Sequence, residues 1–121
     1  MTVLAVAIAG ALGAPARYLV ERAIGTRTGR RFPWGTLVVN VTGSLALGFL
    51  TGLALYHGLA SSPKTVVGTG FIGAYTTFST YAYETVDVAE RATNRLAGTY
   101  AIVSIVAGVA AATLGLVLAA T

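Results

Sequence analysis

The sequence predicts an all-α membrane protein with four transmembrane helices, the third of them broken at mid-membrane. The chain of 121 residues is 55% hydrophobic and only 10% charged, well below the roughly 25% of charged residues in soluble domains. Four apolar segments each reach the length of about 20 residues that crosses a bilayer. The third segment also carries glycines and a dense run of hydroxyl side chains, and this combination predicts an interrupted helix.

The four spans form one predicted membrane domain over residues 1–121. They run approximately over residues 3–24, 34–56, 64–88 and 97–120. The connection between the first two spans is polar and contains Gly25, Gly29 and Pro33, which are typical helix breakers. We interpret the apolar N-terminal stretch as a retained first span, because no Lys or Arg precedes it as a signal peptide requires.

The basic residues predict how the chain sits in the membrane. They cluster near the first and third connections, at Arg22, Arg27, Arg30, Arg31, Arg91 and Arg95, whereas Lys64 lies at the other end of the bundle. The positive-inside rule then places those two connections in the cytoplasm and both termini outside. We therefore expect a multi-pass protein of the cell inner (plasma) membrane, surrounded by membrane lipid.

Composition also excludes several function classes. The chain has no cysteine, so disulfides and thiolate metal sites are excluded. The net charge is +4, but no basic stripe is interleaved with aromatic residues, so we expect no nucleic-acid partner. No nucleophile and base pair, paired carboxylates or phosphate loop is apparent, so we expect no enzyme.

The third span carries the clearest functional signal. Residues 70–84 read GFIGAYTTFSTYAYE, with the hydroxyls of Thr76, Thr77, Ser79 and Thr80 at the centre. Backbone freed from a helix at membrane depth must be buried in protein, line a wet cavity or hold an ion. Transporters and channels place ion sites at such breaks, so the pattern favours a protein that handles an ion.

Several side chains near this break are candidates for an anion pathway. Arg17 either attracts an anion at a pore vestibule or extends its charge toward the cytoplasmic interface. Asn40 either donates to a passing anion or joins two helices. Phe78 and Tyr81 share a helix face, and they either pack in a core or turn the positive edges of their rings to an anion.

Hydroxyl donors extend this candidate pathway. They are Ser79, Thr80, Tyr100 and Ser104. Hydroxyls replace hydration but hold an anion less tightly than arginine, which suits conduction. Small residues at spacing four also form two ladders, which mark packing either within one bundle or at a dimer interface. The ladders are Asn40, Ser44, Gly48 and Gly52 on the second span, and Tyr100, Ser104, Gly108 and Ala112 on the fourth.

Three motifs in order resemble those of the CrcB (Fluc) family of fluoride channels, over essentially the whole chain. Residues 13–17 resemble its Gly-rich element ending in Arg, and residues 35–40 resemble its G-T-L-x-x-N motif. Residues 70–81 resemble its signature G-F-x-G-G-x-T-T-F-S-T-F. The resemblance implies a channel that exports fluoride passively and so relieves fluoride toxicity.

The resemblance also implies an assembly and a set of site residues. Two subunits would pair antiparallel in a dual-topology-type dimer with two fluoride pores. A structural sodium ion, not itself transported, would be held by the backbone carbonyls of Gly73 and Thr76. By position, the pore residues would be Asn40, Phe78, Ser79, Thr80, Tyr81, Tyr100 and Ser104.

Three departures from the family pattern leave alternatives open. Ala74 replaces a glycine, Tyr81 replaces a phenylalanine, and the charge bias is strong for a chain expected to insert both ways. The partner is therefore either a second copy or an oppositely oriented homologue. Two other functions compete. One is a small multidrug-type proton-coupled antiporter, which requires an intramembrane carboxylate; in the first two spans only Glu21 could supply it. The other is a non-conducting subunit of a heteromeric fluoride channel.

Overall fold

The computed structural model describes residues 1–29 and 31–121, so the predicted contribution of Arg30 lies outside the described residues. This part of the chain is helical and contains no strand. The elements are α1 (Thr2–Thr28), α2 (Trp34–Tyr56), α3 (residues 61–75), α4 (Ser79–Arg91) and α5 (Asn94–Ala120). Within the described ranges, α1, α2 and α5 are long and apolar enough to cross a membrane. The predicted all-α, multi-pass membrane class is confirmed.

The helix ends differ from the predicted spans where polar residues prolong a helix. α1 continues to Thr28, and the hydroxyls of Thr26 and Thr28 donate to the carbonyls of Ala23 and Ile24 within their own helix. α5 begins at Asn94, where the hydroxyl of Thr93 accepts the N–H of Leu96 as a helix cap. Hydropathy marks the apolar part of a helix, whereas capping decides where the helix ends.

Helices α2 and α5 pack against each other through glycines, and the two helices run in the same direction. A Cβ atom at Gly48 would collide with the backbone of Ala112, and one at Gly115 would collide with the carbonyl of Leu45. Such close approach of two backbones is possible only where side chains are small. The structure therefore assigns Gly48 and Gly52, which faces Ala119, to packing within the chain.

Helices α1 and α3 also run in the same direction and approach closely. A Cβ at Gly70 would lie 2.9 Å from the carbonyl oxygen of Val6, and a Cβ at Gly13 would collide with the carbonyl of Phe71. Between its first and last turns, α3 is a π-helix over Thr65–Ile72. π-Helical turns are rare and occur frequently at functional sites.

The two ends of the bundle differ in character. The basic end holds the connections at residues 29, 31–33 and 92–93, and one cavity there is lined mostly by residues of α1, α2 and α4. At the opposite end, the Nε2 atom of His57 lies 2.6 Å from the carbonyl oxygen of Ala119 and joins the second connection to the end of α5. Lys64, in the first turn of α3, lies at this opposite end.

Candidate functional site

The helical path of the third segment is interrupted between α3 and α4. α3 ends at Tyr75, Thr76 is extended with ψ 159°, and α4 begins at Ser79. The N–H and the hydroxyl of Thr76 both donate to the carbonyl of Ile72, at 2.9 and 3.0 Å, and close the last turn of α3. We call residues 76–78 the break.

Asn40 of α2 holds the break through both polar groups of its amide. Its Nδ2 donates to the carbonyl of Thr77, and its Oδ1 accepts the N–H of Thr77, both at 2.8 Å. Thr77 is only 7% exposed, so water cannot replace these bonds at low cost. A carboxylate lacks the donor and an aliphatic side chain lacks both groups, so the amide fits this role specifically.

The hydroxyls around the break cap the start of α4. The Oγ1 of Thr77 accepts the N–H of Thr80 at 3.1 Å and donates to the hydroxyl of Thr80, also at 3.1 Å. The hydroxyl of Ser79 also lies 3.3 Å from the Oγ1 of Thr77. Within one chain, Ser79 and Thr80 thus belong to this cap. Thr77 was not among the candidate site residues, although a hydroxyl three residues before Thr80 is a capping signal.

Arg17 reaches the break from α1. Its Nη1 lies 3.4 Å from the carbonyl oxygen of Thr76, to which it donates, and the side chain is half-buried. The structure therefore places this charge against the freed backbone at the break.

Backbone carbonyls are the oxygen ligands that the break offers to a cation. In a continuous helix the N–H of Thr77 would bond the carbonyl of Gly73, but here it donates to Asn40. The carbonyl of Thr76 is engaged by Arg17. Nowhere in residues 1–29 and 31–121 do three or more His, Cys, Asp or Glu side chains form a group able to bind a metal.

A groove of about 300 Å³ lies between α2, the break and α5. Asn40, Phe78, Tyr81 and Ser104, four of the residues that the sequence analysis named for an anion pathway, line it together. Phe78 is 78% exposed, and its ring centre lies 5.6 Å from that of Tyr81. The Oγ of Ser104 is buried and has no hydrogen-bond partner among the described residues. The groove is thus lined by two aromatic rings and by Ser104, whose hydroxyl has no partner.

Tyr100 lies behind this groove. It is fully buried, its hydroxyl donates to Glu84 at 3.3 Å, and its ring centre is 5.5 Å from that of Tyr81. The hydroxyl of Tyr81 donates to the carbonyl of Ala101 at 3.1 Å. Tyr100 therefore separates the groove from the cavity at the basic end.

That second cavity, of about 270 Å³, is lined by carboxylates that the sequence analysis did not include in the site. Glu21, Glu84 and Asp87 line it with Thr36, whose hydroxyl donates to Glu21 at 3.5 Å. The spacing of Glu84 and Asp87 along one helix face was a signal, but it is also typical of a solvated helix end.

Comparison with known proteins shows similarity along nearly the whole chain. A family model described as CrcB-like protein, Camphor Resistance (CrcB), matches residues 4–116. A protein of Leifsonia xyli named fluoride-specific ion channel FluC 1 is 52% identical over 97 residues, which are 80% of this chain and 71% of the relative. FluC 2 of Cutibacterium acnes is 46% identical over 119 residues, 98% of this chain and 97% of the relative. FluC 1 of Symbiobacterium thermophilum is 49% identical over 115 residues, 93% of each.

Replacing Asn40 by alanine should destabilise the break. The change removes two hydrogen bonds and leaves the buried N–H and carbonyl of Thr77 unpaired, so we expect a loss of about 2–4 kcal/mol in the free energy of unfolding. Unfolding in detergent measures the loss, and Asn94→Ala, the same change at an exposed position, serves as the control. Equal stability of the two variants would contradict this role for Asn40.

Proposed function

We propose that this chain, which belongs to the CrcB-like protein family, is a subunit of a fluoride-selective ion channel. The observation that carries the proposal is identity of 46–52% to relatives named fluoride-specific ion channel FluC, over as much as 98% of the chain. The channel would let fluoride leave the cell passively and so relieve its toxicity. No chemical step by an enzyme is needed for this function.

The groove has the chemistry that a small anion requires. Fluoride accepts hydrogen bonds strongly, and two donors lie at the groove. One is the hydroxyl of Ser104, which has no partner and would have to turn toward the ion because its Oγ is buried in the single chain. The other is the second hydrogen of the Asn40 amide, whose first hydrogen bonds Thr77. The ring edges of Phe78 and Tyr81 add positive potential without a formal charge. Weak donors of this kind permit both entry and escape. No Lys or Arg lines the groove in the described part of the chain.

A partner subunit would complete this pathway. The groove is open along one side, and 78% of the Phe78 side chain is exposed although it is large and apolar. A second subunit in the opposite orientation would cover Phe78 and shield the groove from lipid. One subunit with four membrane spans cannot enclose the groove alone. The hydroxyls of Ser79 and Thr80, which lie at the exposed side of the break, would then be available to the pore at the interface.

A structural sodium ion fits the donor set at the break. The carbonyl of Gly73 has lost the N–H of Thr77, and the carbonyl of Thr76 has lost the N–H of Thr80 and accepts from Arg17 with one of its two lone pairs. Hard cations prefer such oxygen ligands. Gly73 is exposed on the single chain, which suits a site shared across an interface. The carbonyls would coordinate the ion, which would join the breaks of two subunits and would not be transported.

The competing functions are less well supported. The similarity to relatives named as fluoride channels does not favour a multidrug-type antiporter. A non-conducting subunit was suggested by Tyr81, which carries a hydroxyl where the family pattern has phenylalanine. In the structure this hydroxyl is engaged with the carbonyl of Ala101, and the ring still lines the groove. This arrangement supports a conducting pore.

The distribution of basic residues supports one fixed orientation in the inner membrane. Arg27, Arg31, Arg91 and Arg95 lie at the basic end, and Lys64 lies at the opposite end. Translocating so many charges is unfavourable, so the basic end would face the cytoplasm. The antiparallel partner would then be a homologue with the opposite bias, and a homodimer is the alternative.

Fluoride flux through purified protein in liposomes tests the channel and the role of Phe78. We expect fluoride efflux and no comparable chloride efflux, because weak donors and ring edges suit the smaller and stronger hydrogen-bond acceptor. Phe78→Ile keeps bulk but removes the ring edge, so we expect flux to fall at least about tenfold with assembly intact. Phe49→Ile, at a half-exposed position outside the groove, should conduct normally. Comparable chloride flux would overturn the selectivity, and normal flux in Phe78→Ile would assign Phe78 to packing.

Exchange of sodium tests the proposed cation site. Replacing sodium by a large organic cation should lower the melting temperature of the assembled protein and reduce flux, because the carbonyls at the break lose the cation that they coordinate. Thr76→Ser should keep the sodium dependence, since the proposed ligand is backbone. Equal stability and flux in the two cations would reject the site.

Single cysteines at each terminus test the orientation, since the chain has no natural cysteine. An impermeant maleimide added to intact cells should label both termini from outside, because the basic end stays in the cytoplasm. Labelling of a cysteine at Thr28 should require permeabilised cells. Equal labelling of every site from both sides would indicate dual topology and favour the homodimer.

A further inference from the structure

The carboxylate of Glu21 lies in a fixed place in the cavity at the basic end. Gly35 of α2 packs directly on the backbone of Glu21, since a Cβ at that position would lie 3.0 Å from both its Cα and its carbonyl oxygen. The hydroxyl of Thr36, which is 2% exposed, donates to the carboxylate at 3.5 Å. Helix packing and a hydrogen bond thus both hold Glu21 beside α2.

This cavity and the groove lie on either side of Tyr100 and are linked by side-chain contacts through it. Glu84 lines the cavity and accepts from the hydroxyl of Tyr100, whose ring packs on Tyr81. Tyr81 in turn lines the groove. A path from the basic end to the groove would therefore run past the carboxylates and then past Tyr100, so an anion on that path would meet the carboxylates first.

The formal charges lining this cavity are predominantly negative. Of the described lining residues, Glu21, Glu84 and Asp87 are acidic and Arg91 is basic. Arg91 pairs with Asp87, with 2.6 Å between Nε and Oδ2. The two glutamates are left without a cationic partner among these lining residues. Arg17, one helical turn before Glu21, donates to the break, and its charge offsets that of Glu21 only in part, from a distance.

We infer that Glu21 is a rate-determining residue for anion passage, whose negative charge at the mouth of the pathway slows the entry of fluoride from the basic end. A cavity with low-dielectric walls focuses the field of such a charge and lowers the local concentration of anions. The inference rests on the proposed fluoride channel. It assigns to Glu21 a role separate from the donors in the groove, because Glu21 offers an anion repulsion and no hydrogen bond.

Neutralising the carboxylate should accelerate flux. In liposomes at low ionic strength, Glu21→Gln should raise the initial rate of fluoride efflux about fivefold, the order expected for one unit charge within several ångströms of the path. Glu21→Asp keeps the charge and should stay within about twofold of the wild type. Glu90→Gln makes the same chemical change at an exposed site outside the cavity and should leave the rate unaltered.

Salt separates an electrostatic role from a structural one. In about 1 M of a salt with a large impermeant anion, the difference between the wild type and Glu21→Gln should collapse, because the screening length falls to about 3 Å. Protein-free vesicles give the leak of undissociated hydrogen fluoride, which is subtracted.

Each outcome of these measurements is decisive. Equal rates for the wild type and Glu21→Gln, or a difference that persists at high salt, would overturn the inference and leave the channel itself standing. Absence of any fluoride flux in the wild type would overturn the proposed function, and the inference with it. If Glu21→Gln does not assemble, the fluoride efflux rate of the wild type at increasing salt is the test. This rate should rise as salt screens the carboxylates. A rate that falls or stays constant would reject the proposed role of Glu21.

Discussion

The paired hydrogen bonds between Asn40 and Thr77 are the interaction on which the rest of the site depends. A helix interrupted inside a membrane leaves N–H and carbonyl groups that water cannot reach, and each unsatisfied group is costly there. One amide side chain satisfies both groups of Thr77, at 2.8 Å each. The hydroxyl of Thr77 is then free to cap α4. The direction of α4, and with it the placement of Phe78 and Tyr81, follows from this arrangement.

The position of Asn40 is in turn fixed by the close packing of α2 on α5. Gly48 and Gly115 allow the two backbones to touch, so Asn40 and Ser104 are held on two sides of one groove. A larger residue at either glycine would separate the helices and widen the groove. The small residues therefore contribute to the site as well as to stability, because they set the distance between the side chains of Asn40 and Ser104 across the groove.

The polar groups of the bundle divide into two regions of different chemistry. The groove presents donors and ring edges, whereas the cavity at the basic end presents carboxylates. Tyr100 lies between them, with its hydroxyl on Glu84 and its ring on Tyr81. Because hydroxyl donors attract an anion and carboxylates repel it, the two regions would act in opposite ways on an anion.

The sequence by itself determined the class of the protein and most of its helix positions. Low charge and apolar segments of membrane length predict the spans, since insertion into lipid depends on the composition of a segment more than on the helices packed beside it. The second span, for example, was predicted as residues 34–56, and α2 is Trp34–Tyr56. Its motifs also resemble one family, and the comparisons show that membership. Asn40, Phe78, Tyr81 and Ser104, which the sequence suggested for one anion pathway, line one groove in the structure; their role in a pore stays a prediction.

Only the tertiary structure decided what each polar group bonds. The sequence left Asn40 open between anion donor and helix link, and it could not show that Tyr100 bonds Glu84 or that Ser79 and Thr80 join the cap of α4. It also left Glu21 outside the site. These pairings depend on how far each helix is rotated and how closely it approaches its neighbour. That geometry is set by contacts such as Gly48 on Ala112 and Gly35 on Glu21, which join residues far apart in the chain and leave no periodic signal in it.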